Sequence, residues 1–106
     1  MLIADLLRRR AGRSVAPAGW PPLITVPDGI DDNTIPPRFL CSITKNLMRQ
    51  PAITPAGFTY EYSAIMQWID KSPTDPMARA ACSAEQLYPN RAVHEMIEEF
   101  IANRVQ

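Results

Sequence analysis

A chain of 106 residues is enough for one small domain with tails, and a domain of that size buries a modest core with little stability to spare. Eleven basic and eleven acidic residues cancel, so the electrostatic footprint of a nucleic-acid binder is missing and the expected partner is a protein. No apolar run reaches the length of a membrane span.

In chain order, "MLIADLLRRRAGR" places Leu2, Ile3, Leu6 and Leu7 at helix-like spacing ahead of Arg8, Arg9 and Arg10. Charge after the apolar residues is the reverse of a secretory signal. A short amphipathic helix or frayed tail is the plainer reading, and an Arg-rich mitochondrial presequence the competing one, with Asp5 against it. From Ser14 to Pro37 the chain holds six of its eleven prolines with no sustained period, which reads as a linker or extended arm. Trp20, Leu23, Ile24 and Val26 are apolar enough for that arm to lie along the domain surface. The division expected is residues 1–34 as arm, 35–103 as domain and 104–106 as tail.

Within the domain, "PAITPAGFTYE" predicts strands at Ala52 to Thr54 and Phe58 to Tyr60 around a Thr54-Pro55-Ala56-Gly57 reversal, with proline and glycine at the second and fourth turn positions. "YSAIMQWIDK" predicts a helix from Ile65, Trp68 and Ile69, capped by Glu61 or Ser63. A loop, "SPTDPMARAA", leads to "SAEQ", a capping-box pattern that predicts one short helical turn. Finally Val93, Met96, Ile97, Phe100 and Ile101 share one helix face after a Pro89-Asn90 stop and cap. Loop, hairpin, helix, loop, turn and helix make a compact α+β unit.

Cys41, Cys82 and His94 together fall one short of the four ligands of a structural zinc site, and no CxxC or HxxxH pair occurs. Two free thiols and a cytoplasmic setting are expected, a Cys41–Cys82 disulfide being the competing arrangement. Neither cysteine has a neighbouring base in sequence, which directs the reading toward binding and positioning rather than nucleophilic catalysis.

Five segments, "IPPRFLCSIT", "LMRQPAITPAGFTYE", "AIMQWI", "TDPMAR" and "EQLYPNRAVHEMIEEFI", occur in the order and spacing that resemble a U-box domain from Ile35 to about Asn103. The resemblance implies a RING-like fold without zinc and without any other cofactor, its two surface loops braced by polar side chains. Ser42, Thr44, Glu61, Thr74, Asp75 and Asn90 are the candidate braces. It also implies a ubiquitin ligase that holds a ubiquitin-charged conjugating enzyme and promotes transfer to a substrate lysine with no covalent ligase intermediate. Matched to the family's pattern, Ile43 is the first-loop anchor, Trp68 the helix position of the groove, Pro76 the second-loop anchor, and Arg79 the residue bridging conjugating enzyme and ubiquitin. Trp68 reads equally as core.

The pattern departs from the family at Ser42, where proline is usual, at Lys45, where an apolar residue is frequent, and in "ARAAC", which keeps Arg79 but replaces neighbours with Ala78, Ala81 and Cys82. Cys82 then reads as a small core residue, and the lost volume as a source of mobility in the second loop. Lys45 stands with Ile43, Trp68, Pro76 and Arg79 among the conjugating-enzyme contacts that the resemblance implies, and its charge motivates a competing function, a U-box-like adaptor that no longer recruits a conjugating enzyme. A homodimerising module built on the last helix or the arm is a third reading. The protein substrate is unspecified.

Overall fold

The computed structural model describes residues 16–104, so the amino-terminal segment read as helix, tail or presequence lies outside the described residues. Strand β1, Pro51–Ile53, runs antiparallel to β2, Thr59–Glu61, with Ala52 opposite Tyr60. Each strand sits one residue further from the turn than expected. The cause is the reversal itself: the Gly57 N–H donates to the Thr54 carbonyl at 2.9 Å and the Thr54 N–H to the Phe58 carbonyl at 3.0 Å, so Thr54 and Phe58 close the turn. Gly57 has φ +95°, a conformation that a residue without Cβ reaches at no steric cost.

A third strand, β3 at Tyr88–Pro89, pairs with the free edge of β1, giving the order β2-β1-β3. Pro89 was expected only to stop a helix. It is tolerated here because β3 is an edge strand, where a residue with no N–H to donate does not break a ladder, and two residues are too few to carry an alternating pattern.

Helix α1, Tyr62–Lys71, follows β2 without a loop. The expected cap by Glu61 is not made: Glu61 occupies the capping position, but its carboxylate turns across the chain and accepts the Arg49 N–H at 2.7 Å and the Gln50 N–H at 2.8 Å. The Tyr62 N–H donates to the Gln50 carbonyl at 2.9 Å. The segment before β1 is thereby pinned to the start of α1. The "SAEQ" stretch forms a single 3-10 turn, Ala84–Gln86, with the Gln86 side chain accepting from the Ser83 N–H at 3.0 Å.

Helix α2, Arg91–Arg104, is capped by Asn90, whose side-chain oxygen accepts from the Val93 N–H at 3.1 Å while its amide donates to the Thr59 hydroxyl at 2.9 Å. One asparagine therefore joins the helix to β2. The buried face differs from expectation: His94, Ile97 and Ile101 are buried, Val93 and Phe100 are partly so, and Met96 is exposed. A polar imidazole can face inward because its Nε2 lies 2.7 Å from the Pro22 carbonyl and its Nδ1 3.3 Å from the Glu98 carboxylate. A carbonyl only accepts, so Nε2 is the donor to Pro22.

The same contact shows what the proline-rich arm does. Ile24 is 4 % exposed and belongs to the core formed with Phe39, Met48, Tyr60, Ile65 and Ile97. Its N–H donates to the Arg49 carbonyl at 2.9 Å, and its carbonyl accepts from Arg49 Nε at 2.8 Å. The Trp20 ring meets the ring of Tyr62 edge-on at 5.0 Å, and the Arg91 guanidinium donates to the Gly19 carbonyl at 2.9 Å. The core thus draws on residues ahead of Ile35. Both cysteines are free and buried. Among the described residues no three His, Cys, Asp or Glu side chains come together, and no helix is long and apolar enough to cross a membrane.

Truncating Ile24 removes its buried side chain from the core and leaves its backbone bonds to Arg49 in place. Ile24→Ala is expected to lower unfolding free energy by about 2 to 5 kcal/mol, measured by urea denaturation, with the exposed Leu23→Ala as a near-neutral control.

Candidate functional site

The two surface loops are built alike. Residues 41–46 lie between the bridge partners Leu40 and Leu47, and residues 75–80 between Thr74 and Ala81. In each loop the first N–H donates to the sixth carbonyl, Cys41 to Asn46 at 2.9 Å and Asp75 to Ala80 at 2.8 Å. In each, the fifth N–H donates back to the first carbonyl, Lys45 to Cys41 and Arg79 to Asp75, both at 2.7 Å. The fifth residue is left-handed in both, with φ 64° at Lys45 and 59° at Arg79. Beneath the bridges the pattern continues, Met48 N–H to the Phe39 carbonyl at 2.9 Å and Cys82 N–H to the Pro73 carbonyl at 3.0 Å. Cys82 is buried at 2 % exposure beneath the second loop.

What differs is the acceptor at the first position. Cys41 is fully buried, and its sulfur takes the N–H groups of Ile43 at 3.4 Å and Glu61 at 3.3 Å, both weak bonds. Asp75, 1 % exposed, takes four donors: the hydroxyls of Thr54 and Tyr60 and the N–H groups of Met77 at 2.8 Å and Ala78 at 3.0 Å. Burial alone would raise the Asp75 pKa; the hydrogen bonds outweigh it and hold the carboxyl below its usual range. Burial and the Asp75 hydrogen bond push the Tyr60 phenol well up, and burial with the Asp75 charge raises the Cys82 thiol.

Of the six expected braces, Asp75 holds the second loop and Glu61 the approach to β1, while Asn90 ties α2 to the sheet. Thr74 accepts from the Trp68 indole N–H at 3.1 Å and so joins the second loop to α1. Thr44 acts only inside its own loop, accepting from the Asn46 N–H at 3.2 Å. Ser42 is exposed, and its side chain makes no hydrogen bond among the described residues. Sequence reasoning missed Thr54, Tyr60 and Arg49, which reach their partners across 21, 15 and 25 positions of chain.

Between the first loop and α1 lies an open groove of about 300 Å³, lined by Ile43, Thr44, Ala64, Gln67, Trp68 and Lys71. The four helical members follow the spacing of one face. Ile43 and Trp68 are 37 % and 40 % exposed, so the structure brings these two together at the surface and places Trp68 in the groove. Pro76 is half-buried and is not among the lining residues. Lys45 and Arg79 are exposed at the loop tips. Met77, unremarked in the sequence, is 57 % exposed and holds in the second loop the place that Ile43 holds in the first.

A carboxyl whose folded-state pKa lies below its unfolded value contributes stability above the unfolded value and loses it as pH falls through the folded one. For Asp75 that loss falls below about pH 4. Asp75→Ala strands two buried hydroxyls and is expected to cost about 3 kcal/mol or more. Asp75→Asn, which keeps one acceptor oxygen, should cost less and should flatten the acid limb of stability against pH, followed by urea denaturation between pH 2 and 7.

The U-box domain model matches residues 35–106, more than half of the chain and the part that carries both loops, the sheet and both helices. U-box domain-containing protein 57 of Arabidopsis thaliana is 41% identical over 78 residues, 73% of this chain and 20% of that protein. U-box domain-containing protein 70 of Oryza sativa subsp. japonica is 39% identical over 72 residues, 67% of this chain and 9% of that protein. The rice U-box domain-containing protein 57 is 33% identical over 85 residues, 79% of this chain and 16% of that protein. The chain spans a fifth or less of the length of these relatives. On the family match over residues 35–106 and the identity to these relatives, the chain belongs to the U-box domain family.

Proposed function

We propose that the chain acts as the ligase module of ubiquitin transfer, receiving a ubiquitin-charged conjugating enzyme and orienting its thioester toward a substrate lysine. The observation that carries this reading is the groove itself, with exposed Ile43 and Trp68 held side by side by bonded loops on both flanks. Half-exposed aromatic and aliphatic anchors on a rigid frame suit a small protein interface. Acceleration comes from orientation alone, since closing two tethered proteins into a reactive arrangement removes translational and rotational freedom before the chemical step.

Arg79 is the positioning residue in this reading. Its loop fixes the backbone by the Arg79 N–H bond to Asp75, and a planar guanidinium can donate to carbonyls on two proteins at once. The buried thiols are not the nucleophile: the Cys82 pKa is raised, Cys41 is inaccessible, and the lone histidine is occupied by Pro22 and Glu98. The setting proposed for this activity is the cytoplasm, where two free thiols stay reduced. The protein substrate is held by surfaces other than the groove.

Reconstitution with activating enzyme, a panel of conjugating enzymes and ubiquitin is expected to give chain formation with at least one member. Ile43→Ala and Trp68→Ala should weaken binding about tenfold or more. Arg79→Ala should leave binding within about threefold while slowing thioester discharge about tenfold or more. Binding of a protein partner without any chain formation would favour the adaptor instead, a reading for which the added Lys45 charge speaks.

A further inference from the structure

The groove is apolar at its centre and cationic at its rim. Lys71 ends the helical stripe that lines it, Lys45 directly follows the lining residue Thr44, and Arg79 stands at the matching place in the second loop. No lining residue is acidic. Of the carboxylates close in sequence, Asp75 is buried and saturated with donors, and Asp70 falls off the stripe and has a partner of its own. In a chain whose formal charges cancel, this is a local concentration of positive charge. It is also an oriented one, because the left-handed backbone and the Lys45 N–H bond to Cys41 fix the direction in which Lys45 leaves the loop relative to Ile43.

We infer that the groove selects a conjugating enzyme whose apolar projection is flanked by carboxylates, with Lys45 and Lys71 as the residues that set this preference. The inference rests on the ligase reading and specifies its partner. Exposed charges attract only modestly, so the selection works mainly by exclusion: a conjugating enzyme presenting a basic side chain beside its projection meets a lining with a lysine and no acidic residue, and Lys45 next to it in the chain. A neutral or apolar residue at position 45 would impose no such filter.

The test is a fluorescence anisotropy titration of the full chain against purified conjugating enzymes of differing surface charge, at low and at physiological ionic strength, for the parent, Lys45→Glu and Lys71→Glu. Each reversal is expected to weaken the parent's best partner about five- to tenfold and to remove most of its salt dependence. Scanning that enzyme's surface carboxylates to lysine should find one change that weakens the parent and restores Lys45→Glu. Thermal melts of the variants separate a folding defect from a binding one. Affinities that stay within about twofold of the parent in folded reversal variants would overturn this inference and leave the ligase reading standing. Absence of parent binding to every enzyme in the panel would overturn both.

Discussion

The Asp75 carboxylate is buried with no cation against it among the described residues, and the second loop has its shape because donors from three places fold onto that charge. Thr54 comes from the hairpin reversal, Tyr60 from β2, and the two N–H groups from the loop itself. A buried anion is tolerable only when its lone pairs are filled, so the hairpin and the loop have to form together. From Asp75 the polar ties continue, through Thr74 to the Trp68 indole, and separately through Glu61 to the segment before β1. The groove is the surface these ties enclose.

The first loop repeats the backbone of the second with a much weaker acceptor at its base, the Cys41 sulfur. Its support comes from outside. Glu61 holds the Arg49 and Gln50 N–H groups, and Arg49 in turn clasps the Ile24 carbonyl of the arm. The two loops are therefore stiffened by different means, one by an internal charge and the other by a strap of chain that precedes the family motif.

Legibility in the sequence followed the range of the forces involved. The Thr-Pro-Ala-Gly reversal and the Asn90 cap were legible because proline, glycine and asparagine act on their immediate neighbours. Strand β3 was not, since its pairing is decided by the vacant edge of β1. The helical face of α2 was read one step out of true because a histidine satisfied by a remote carbonyl counts as core, and nothing within five residues of His94 reveals Pro22. Ile43 and Trp68 were singled out by family motif and do meet; that the two loops share one backbone could not be seen, because "CSITKN" and "DPMARA" have only an apolar third and a basic fifth residue in common.

That fifth position carries a further consequence. A left-handed backbone is costly for side chains branched at Cβ, while it admits unbranched chains and suits asparagine or glycine. Valine, isoleucine and threonine are thus poor choices at positions 45 and 79, and glycine would free the backbone but surrender the side chain. The alphabet in which this surface can be rewritten is consequently short, and change at these two positions has to be spelled in charge and length, with branching left out.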